Sequence, residues 1–566
     1  MYMKRFAQYL TLGLVLILFA TSCKKSVPEQ TKYIPKDAMF VVDMDWKSLA
    51  TKAATANIKW DSLFNASVKS SDDSAASKGI KMLEDFTNSG IDLESNVFVF
   101  MKMGGSMMSG QSVSGGAVAA MKDAGKFESY LKQQGLTDIK KGSNYSYITI
   151  EDALNIGWNE DVVIMAAAGN TTQGGDDKTT TGNPLAALFA QKEDESIAAI
   201  PEFVDLMAEK GDMLFWTNSS SMMSSVPLLG MTKFADLLQN SYGAGVINFD
   251  NGKLTGNFKS YSGKDLAAIW DKYKGPVANM DMINQYPAPV TGFASFSFNP
   301  QILVEIIRFG GMEATANQYM EKLGFTLDDI TKAFKGEFAI AFSDIAIKET
   351  EMEYEGVKLK TKAPTGHIII NAAIGDKAAY DKIVAKLAEM GEMEMVNGQY
   401  VPTGMGTTFS WNMNGKNLII SGDSSFAQQY ISGKGNAAIP ADIAAKCKDK
   451  SMALYFDLSK LMELMPADSA NATITNAAKA TFKNIVATSD NFNGKYVASN
   501  FELNTANASE NSLASLLKFF AASANKIRQE QRKFNQGMMG MSDFEMEDEP
   551  AAEDIIAPPV IEEQAK

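Results

Sequence analysis

The stretch YIPKDAMFVVDMDWKSL, Tyr33 to Leu49, runs from an aromatic residue and a proline through alternating apolar positions into a helix-like segment. Phe40, Val42, Met44 and Trp46 fall on one side of a period-two pattern; Val41, Asp43 and Asp45 fall on the other. WKSLATKA follows directly, so Asp45 stands where a side-chain oxygen accepts from backbone N–H groups that a helix's first turn leaves orphaned. The spacing therefore predicts a strand that ends in a helix N-cap. Asp43 is expected on a solvated strand face. The competing reading of two carboxylates at this spacing is a catalytic or metal-binding pair.

The same unit recurs along the chain, which is why repeats are read before local structure. YPAPVTGFASFSFNPQIL from Tyr286 repeats the whole pattern, and MLFWTNSSSMM from Met213 and MALYFDLSKLM from Met452 repeat its second part. Aligned on the strand-to-helix junction, the equivalent positions are Asp45, Asn218, Asn299 and Asp457, all residue types that cap well. Pro300, after Asn299, is the residue expected at a first helical position. At Asp43 the second long unit is read as having Ser297, which cannot serve as a general acid. Tyr147 to Asn170 and Tyr400 to Ser425 share a Trp-Asn pair, at Trp158-Asn159 and Trp411-Asn412, and GKLTGNFKSY from Gly252 is similar to GKYVASNFEL from Gly494. The pattern predicts a duplicated body. Its first half is 33–280, with a long unit 33–200 and a short unit 201–280; its second half is 281–530, with units 281–438 and 439–530.

Strand patterns such as NVFVFMKM, AGVINFD, HIIINAAI and NLIISG follow one another through short turns, and NGK at Asn251 and Asn414 is a hairpin signal. The expected fold class is α+β, with antiparallel sheets and helices packed on one face. Polar loops are expected at Gly104 to Gly116 and Gly169 to Asn183.

At the start of the chain, Lys4 and Arg5 precede an apolar core, Leu10 to Ala20, that is too short to span a bilayer comfortably. It ends in Ala20-Thr21-Ser22-Cys23, which resembles the lipobox of bacterial lipoprotein precursors. That resemblance implies a signal peptide over 1–22, cleavage before Cys23, palmitate-type acylation of Cys23, and an anchor linker over 23–32. Each buried acyl methylene contributes roughly 0.8 kcal/mol to membrane attachment. The one remaining cysteine, Cys447, is read as a small buried apolar group.

The formal charge is -14, and much of it is local. Met541 to Lys566 holds nine Asp or Glu and one Lys, and the segment 531–566 is expected to be a disordered acidic tail. No basic stripe exists for nucleic acid, which excludes that class of partner.

Chemistry is sparsely signalled. His367 is the only histidine, so a Ser-His-Asp triad would have to use it and multi-histidine zinc sites are excluded. No phosphate-loop motif occurs, and no cofactor is expected. Met101, Met103, Met107 and Met108, and then Met538, Met539, Met541 and Met546, form thioether clusters that suit Cu(I), so a copper-binding protein is one alternative. A carboxylate-dependent hydrolase acting on envelope glycan or peptide is another, because it needs only two positioned acids.

Taken together, the Cys23 lipobox, the YIPKDAMFVVDMDWKSL opening and the repeated unit resemble a family of Bacteroidota lipoproteins classified as a domain of unknown function. The resemblance implies an outer-membrane, lipid-anchored location in the cell envelope and brings no catalytic residues. Lys24-Lys25-Ser26 follows Cys23 in place of the acidic cluster that directs such lipoproteins outward, so a periplasm-facing position is expected. The expected role is non-enzymatic binding or scaffolding, with an envelope protein or glycan as ligand.

Overall fold

A computed structural model describes residues 27–55, 89–106, 110–150, 154–171, 184–224, 233–354, 357–396, 399–404, 409–464 and 472–523. The strands in chain order are β1 (Phe40–Met44), β2 (Val97–Ser106), β3 (Gly110–Ala120), β4 (Lys140–Lys141), β5 (Ser146–Ile150), β6 (Leu154–Trp158), β7 (Val162–Thr171), β8 (Met213–Asn218), β9 (Tyr242–Asp250) and β10 (Lys253–Tyr261). Next come β11 (Gly292–Ser297), β12 (Phe334–Tyr354), β13 (Val357–Ile374), β14 (Met393–Val396), β15 (Gln399–Pro402), β16 (Ser410–Asn414), β17 (Asn417–Ser421), β18 (Met452–Asp457), β19 (Phe482–Ser489) and β20 (Tyr496–Thr505). The helices that matter below are α1 (Trp46–Ala54), α2 (Leu185–Ala190), α3 (Pro201–Met207), α4 (Ser219–Ser224), α5 (Gln301–Phe309), α6 (Ser424–Ile431) and α7 (Leu458–Glu463).

Helices and antiparallel strands make this an α+β chain. Among the described residues, all strands but β14 and β15 join one sheet of 18. Its order is β4-β5-β6-β7-β3-β2-β1-β8-β9-β10-β20-β19-β18-β11-β12-β13-β17-β16, every neighbouring pair antiparallel. β1 lies between β2 and β8, and β11 lies between β12 and β18. The NGK signals work as hairpins: β9 turns into β10 through Asn251-Gly252, and β16 into β17 through Gly415-Lys416. Gly252 and Gly415 take φ of 74° and 60°, the left-handed region such two-residue turns require. Much of the polar loop expected over Gly104 to Gly116 is strand, because β2 and β3 stay paired as far as Ser106 and Gly110.

Both faces of the sheet are apolar, so alternation in β1 does not tell inside from outside. On one face Val41, Phe98, Phe100 and Trp216 pack beneath α2 and α3 through Leu188, Phe203 and Leu206. Phe203 meets the Trp216 ring edge-on at 5.5 Å, and each such side chain contributes roughly 1.5–3 kcal/mol by burial. On the opposite face Met44, Met213 and Ile247 meet Leu49 and Ala53 of α1 and Leu513 and Leu517 of a helix at 512–523. Helices therefore cover both faces, which corrects the expectation of one. The β12–β13 hairpin outruns the rest of the sheet: β11 borders it only as far as Phe342 and β17 only from Ile369, whereas β12 and β13 stay paired to Tyr354 and Val357.

The signal segment 1–22, Cys23, the acidic tail 531–566 and the methionines Met107, Met108, Met538, Met539, Met541 and Met546 lie outside the described residues. Among the described residues, no helix is long and apolar enough to cross a membrane.

Candidate functional site

The four strand-end residues bind backbone. Asp45 Oδ1 accepts from Ser48 N at 2.8 Å at the start of α1, and Asn218 Oδ1 from Ser221 N at 3.1 Å in α4. Asn299 Oδ1 accepts from Gln301 N at 3.0 Å at the start of α5, and Asp457 Oδ1 from Lys460 N at 3.1 Å in α7. Pro300, between Asn299 and α5, holds helical dihedrals of -58° and -23°. These oxygens are directed at first-turn amides and form no shared site.

Asp43 departs from its expected place. It is only 3% exposed, on the Val41 face beside Phe98 and Leu214, where solvation was anticipated. Asn96 Nδ2 donates to its Oδ2 at 2.8 Å, while Oδ1 is buried without a hydrogen-bond partner. Burial pushes its pKa up to about 7, against the lowering effect of Asn96; the Asp45 charge adds a smaller upward push. The register also shifts the alignment read from the sequence. Asp45 N donates to Asp212 O as Ser297 N donates to Ser451 O, so Asp43 matches Ser295, and Asn299 lies two residues past the match to Asp45. Ser295 is fully buried, its hydroxyl likewise unpartnered.

Asp212 carries no recognisable signal in the sequence, yet it is the most heavily bonded carboxylate of this region. It is 3% exposed and accepts from Lys52 Nζ at 2.5 Å, Ser48 Oγ at 2.5 Å and Phe249 N at 2.6 Å. These bonds fasten α1 to β9. They leave no lone pair directed at a substrate.

His367 sits in β13 opposite Ser343, with Nδ1 4.0 Å from Asp423 Oδ2, so a serine, a histidine and an aspartate do converge. Their bonding is not that of a triad. Ser343 is fully buried, and its hydroxyl donates to Asp344 Oδ2 at 2.8 Å and faces the Tyr286 hydroxyl at 3.1 Å. A nucleophile must be reachable and must give its proton to the imidazole. The His367 ring instead stacks on Phe426 at 4.2 Å and 8°. Asp423 caps α6, and the Phe426 and Ser425 N–H groups hold its carboxyl below the usual range. Cys447 is fully buried, and burial pushes its thiol up to about 11, away from thiolate chemistry. Among the described residues no group of three or more His, Cys, Asp or Glu is placed to hold a metal.

What the fold does provide is a cavity of about 510 Å³ between α2 and the sheet. Phe100 and Ala166 form its apolar floor on the sheet, Leu188 of α2 covers it, and Ser114 stands in its wall. Asp37, Lys102 and Glu195 border it. Lys102 Nζ pairs with Asp37 Oδ2 at 2.7 Å, and Glu195 Oε2 accepts from Lys192 N at 3.3 Å, so the acids at the border have counter-charge or a donor. The floor depends on Gly116, the register partner of Phe100: a Cβ there would lie 2.5 Å from Met165 O and 3.0 Å from the Phe100 ring. Sequence reading passed over every one of these residues, because they come from β2, β3, β7, α2 and two loops and share no local pattern.

No curated protein and no solved structure matches the chain. The profile of a domain of unknown function, DUF4836, matches residues 30–513. With most of its length covered by that match, the chain belongs to the DUF4836 family.

Proposed function

We propose that this chain is a non-enzymatic binding protein of the cell envelope, held to the membrane through acylated Cys23, and that its ligand occupies the cavity beneath α2. The observation that carries the reading is the cavity itself. It is large enough for a small ligand or a side chain, apolar at its floor, and polar only at its border, the composition typical of binding pockets. Carboxylate-based hydrolysis needs two free acids facing one bond. Here Asp37 is matched by Lys102, Asp43 is enclosed beside Asn96, and Asp45 and Asp457 serve helix starts.

The body is read as an internal duplication joined at β10 and β20. Matching Gly252 to Gly494 makes Leu254 the counterpart of Tyr496 and Tyr261 the counterpart of Leu503. Exchanging counterparts turns the Leu254–Leu503 pair into Tyr496–Tyr261, which is also a register pair of this seam. Such self-consistency is what a two-fold contact between like elements requires. The mirrored sheet order supports the same reading.

Purification of the full chain from its native membranes, with and without Ala187→Trp at the cavity mouth, tests the binding role. Release of a bound compound or peptide from the unsubstituted protein, and its loss from the variant, is expected. Identical material from both would end the assignment of the ligand to this cavity.

A further inference from the structure

The two halves of the sheet treat one location differently. Asn218 N donates to Met39 O as Asp457 N donates to Thr291 O, which sets Val41 against Phe293. Following the pairs outward, Phe100 matches Ala341, Gly116 matches Ile369, Lys102 matches Ser343 and Ser114 matches His367. The wall position of the cavity in the first half is therefore the position of the only histidine in the second. There rings occupy the place: the imidazole lies flat on Phe426, and Phe426 meets Tyr286 at 5.2 Å. The Tyr286 hydroxyl donates to His367 O at 2.9 Å, and Asp423 stands beside the imidazole. In the first half a serine replaces the ring and the volume is left open.

We infer that the cavity accepts a planar aromatic ring carrying a cationic arm from an outside ligand, with the ring in the place that His367 takes within the other half. Phe100 on the sheet and Leu188 on α2 bound the cavity with apolar surface that suits a ring face. The border suits a cation: Lys102 is already engaged by Asp37, and Glu195 belongs to the acidic turn Glu193–Glu195. This rests on the binding reading above.

The probes are tryptamine, indole-3-acetate and hexylamine, titrated against the full chain and followed by ligand-observed NMR. Tryptamine is expected to bind at least tenfold more tightly than indole-3-acetate, which has the same ring and the opposite charge. Ser114→His, which transplants the ring of the other half, should lower tryptamine affinity at least tenfold. Combining Asp37→Asn with Glu195→Gln, both at exposed positions, should reduce the preference for tryptamine over indole-3-acetate at least fivefold without altering the fold. Tryptamine binding that Ser114→His leaves unchanged, or a preference that survives loss of both acids, overturns the inference. Hexylamine binding that Ser114→His abolishes, with no tryptamine binding, overturns the ring specificity while leaving a ligand cavity. Binding of none of the three overturns both.

Discussion

Replacing Asp43 by asparagine isolates the energetics of a buried carboxyl, because the amide keeps the shape and still accepts from Asn96. Burial raises the folded-state pKa of Asp43 from 3.8 to about 7, so the folded chain keeps a proton that the unfolded chain releases. Below pH 3.8 both states are protonated and the group adds no pH dependence. Stability falls as pH rises from there to about 7 and levels off above, where both states are ionised. At roughly 1.4 kcal/mol for each pH unit, the interval from pH 5 to 7 costs about 3 kcal/mol. Urea unfolding at pH 5 and pH 8 should show the Asp43→Asn variant gaining about 3 kcal/mol on the parent protein between the two conditions. An offset between the two proteins that is the same at both values would refute the enclosure of an ionisable group at this position.

Further outcomes follow from the same structure. Asp45→Ala and Asp457→Ala should each cost about 1 kcal/mol in urea unfolding, and the corresponding asparagine substitutions close to nothing, because the amide oxygen keeps the first-turn acceptor that alanine loses. Lys52→Met leaves Asp212 buried without its cation and should cost about 3 kcal/mol; adding Asp212→Asn should recover part of that, as read from a double-mutant cycle. In a chain beginning at Lys24, Cys447 is the sole thiol; a chromogenic disulfide reagent should react with it only after unfolding.

Much of the architecture was legible because hairpins and helix starts are local. Asn251-Gly252 and the residues at Asp45, Asn218, Asn299 and Asp457 need no distant partner to declare themselves. Register is another matter. Moving a strand by two residues keeps every side chain on its face, so a hydrophobic pattern cannot detect the slip. That is how Ser297 was set against Asp43 in place of Ser295. By the same count Trp158 aligns with Met413 and not with Trp411, since it pairs with Val163 as Met413 pairs with Leu418. Asp43 was misplaced because Val41 and Val42 are both buried: with a covered sheet on either side, parity carries no sign of solvent. The cavity was out of reach altogether. It is lined from β2, β3, β7, α2 and two loops, and no local pattern joins residues so far apart in the chain.

The seam between β10 and β20 also bears on how the chain reaches its native state. β20 follows β10 by more than 230 residues, since Tyr261 pairs with Tyr496. An N-terminal half that folds first must wait with a nine-residue edge, Lys253 to Tyr261, open to any strand of suitable pattern. β10 of another molecule resembles β20, because GKLTGNFKSY and GKYVASNFEL are similar and lie antiparallel across this seam. A chain truncated before Tyr496 is thus equipped to close that edge with its twin, and the second half serves the first as a built-in guard against self-pairing.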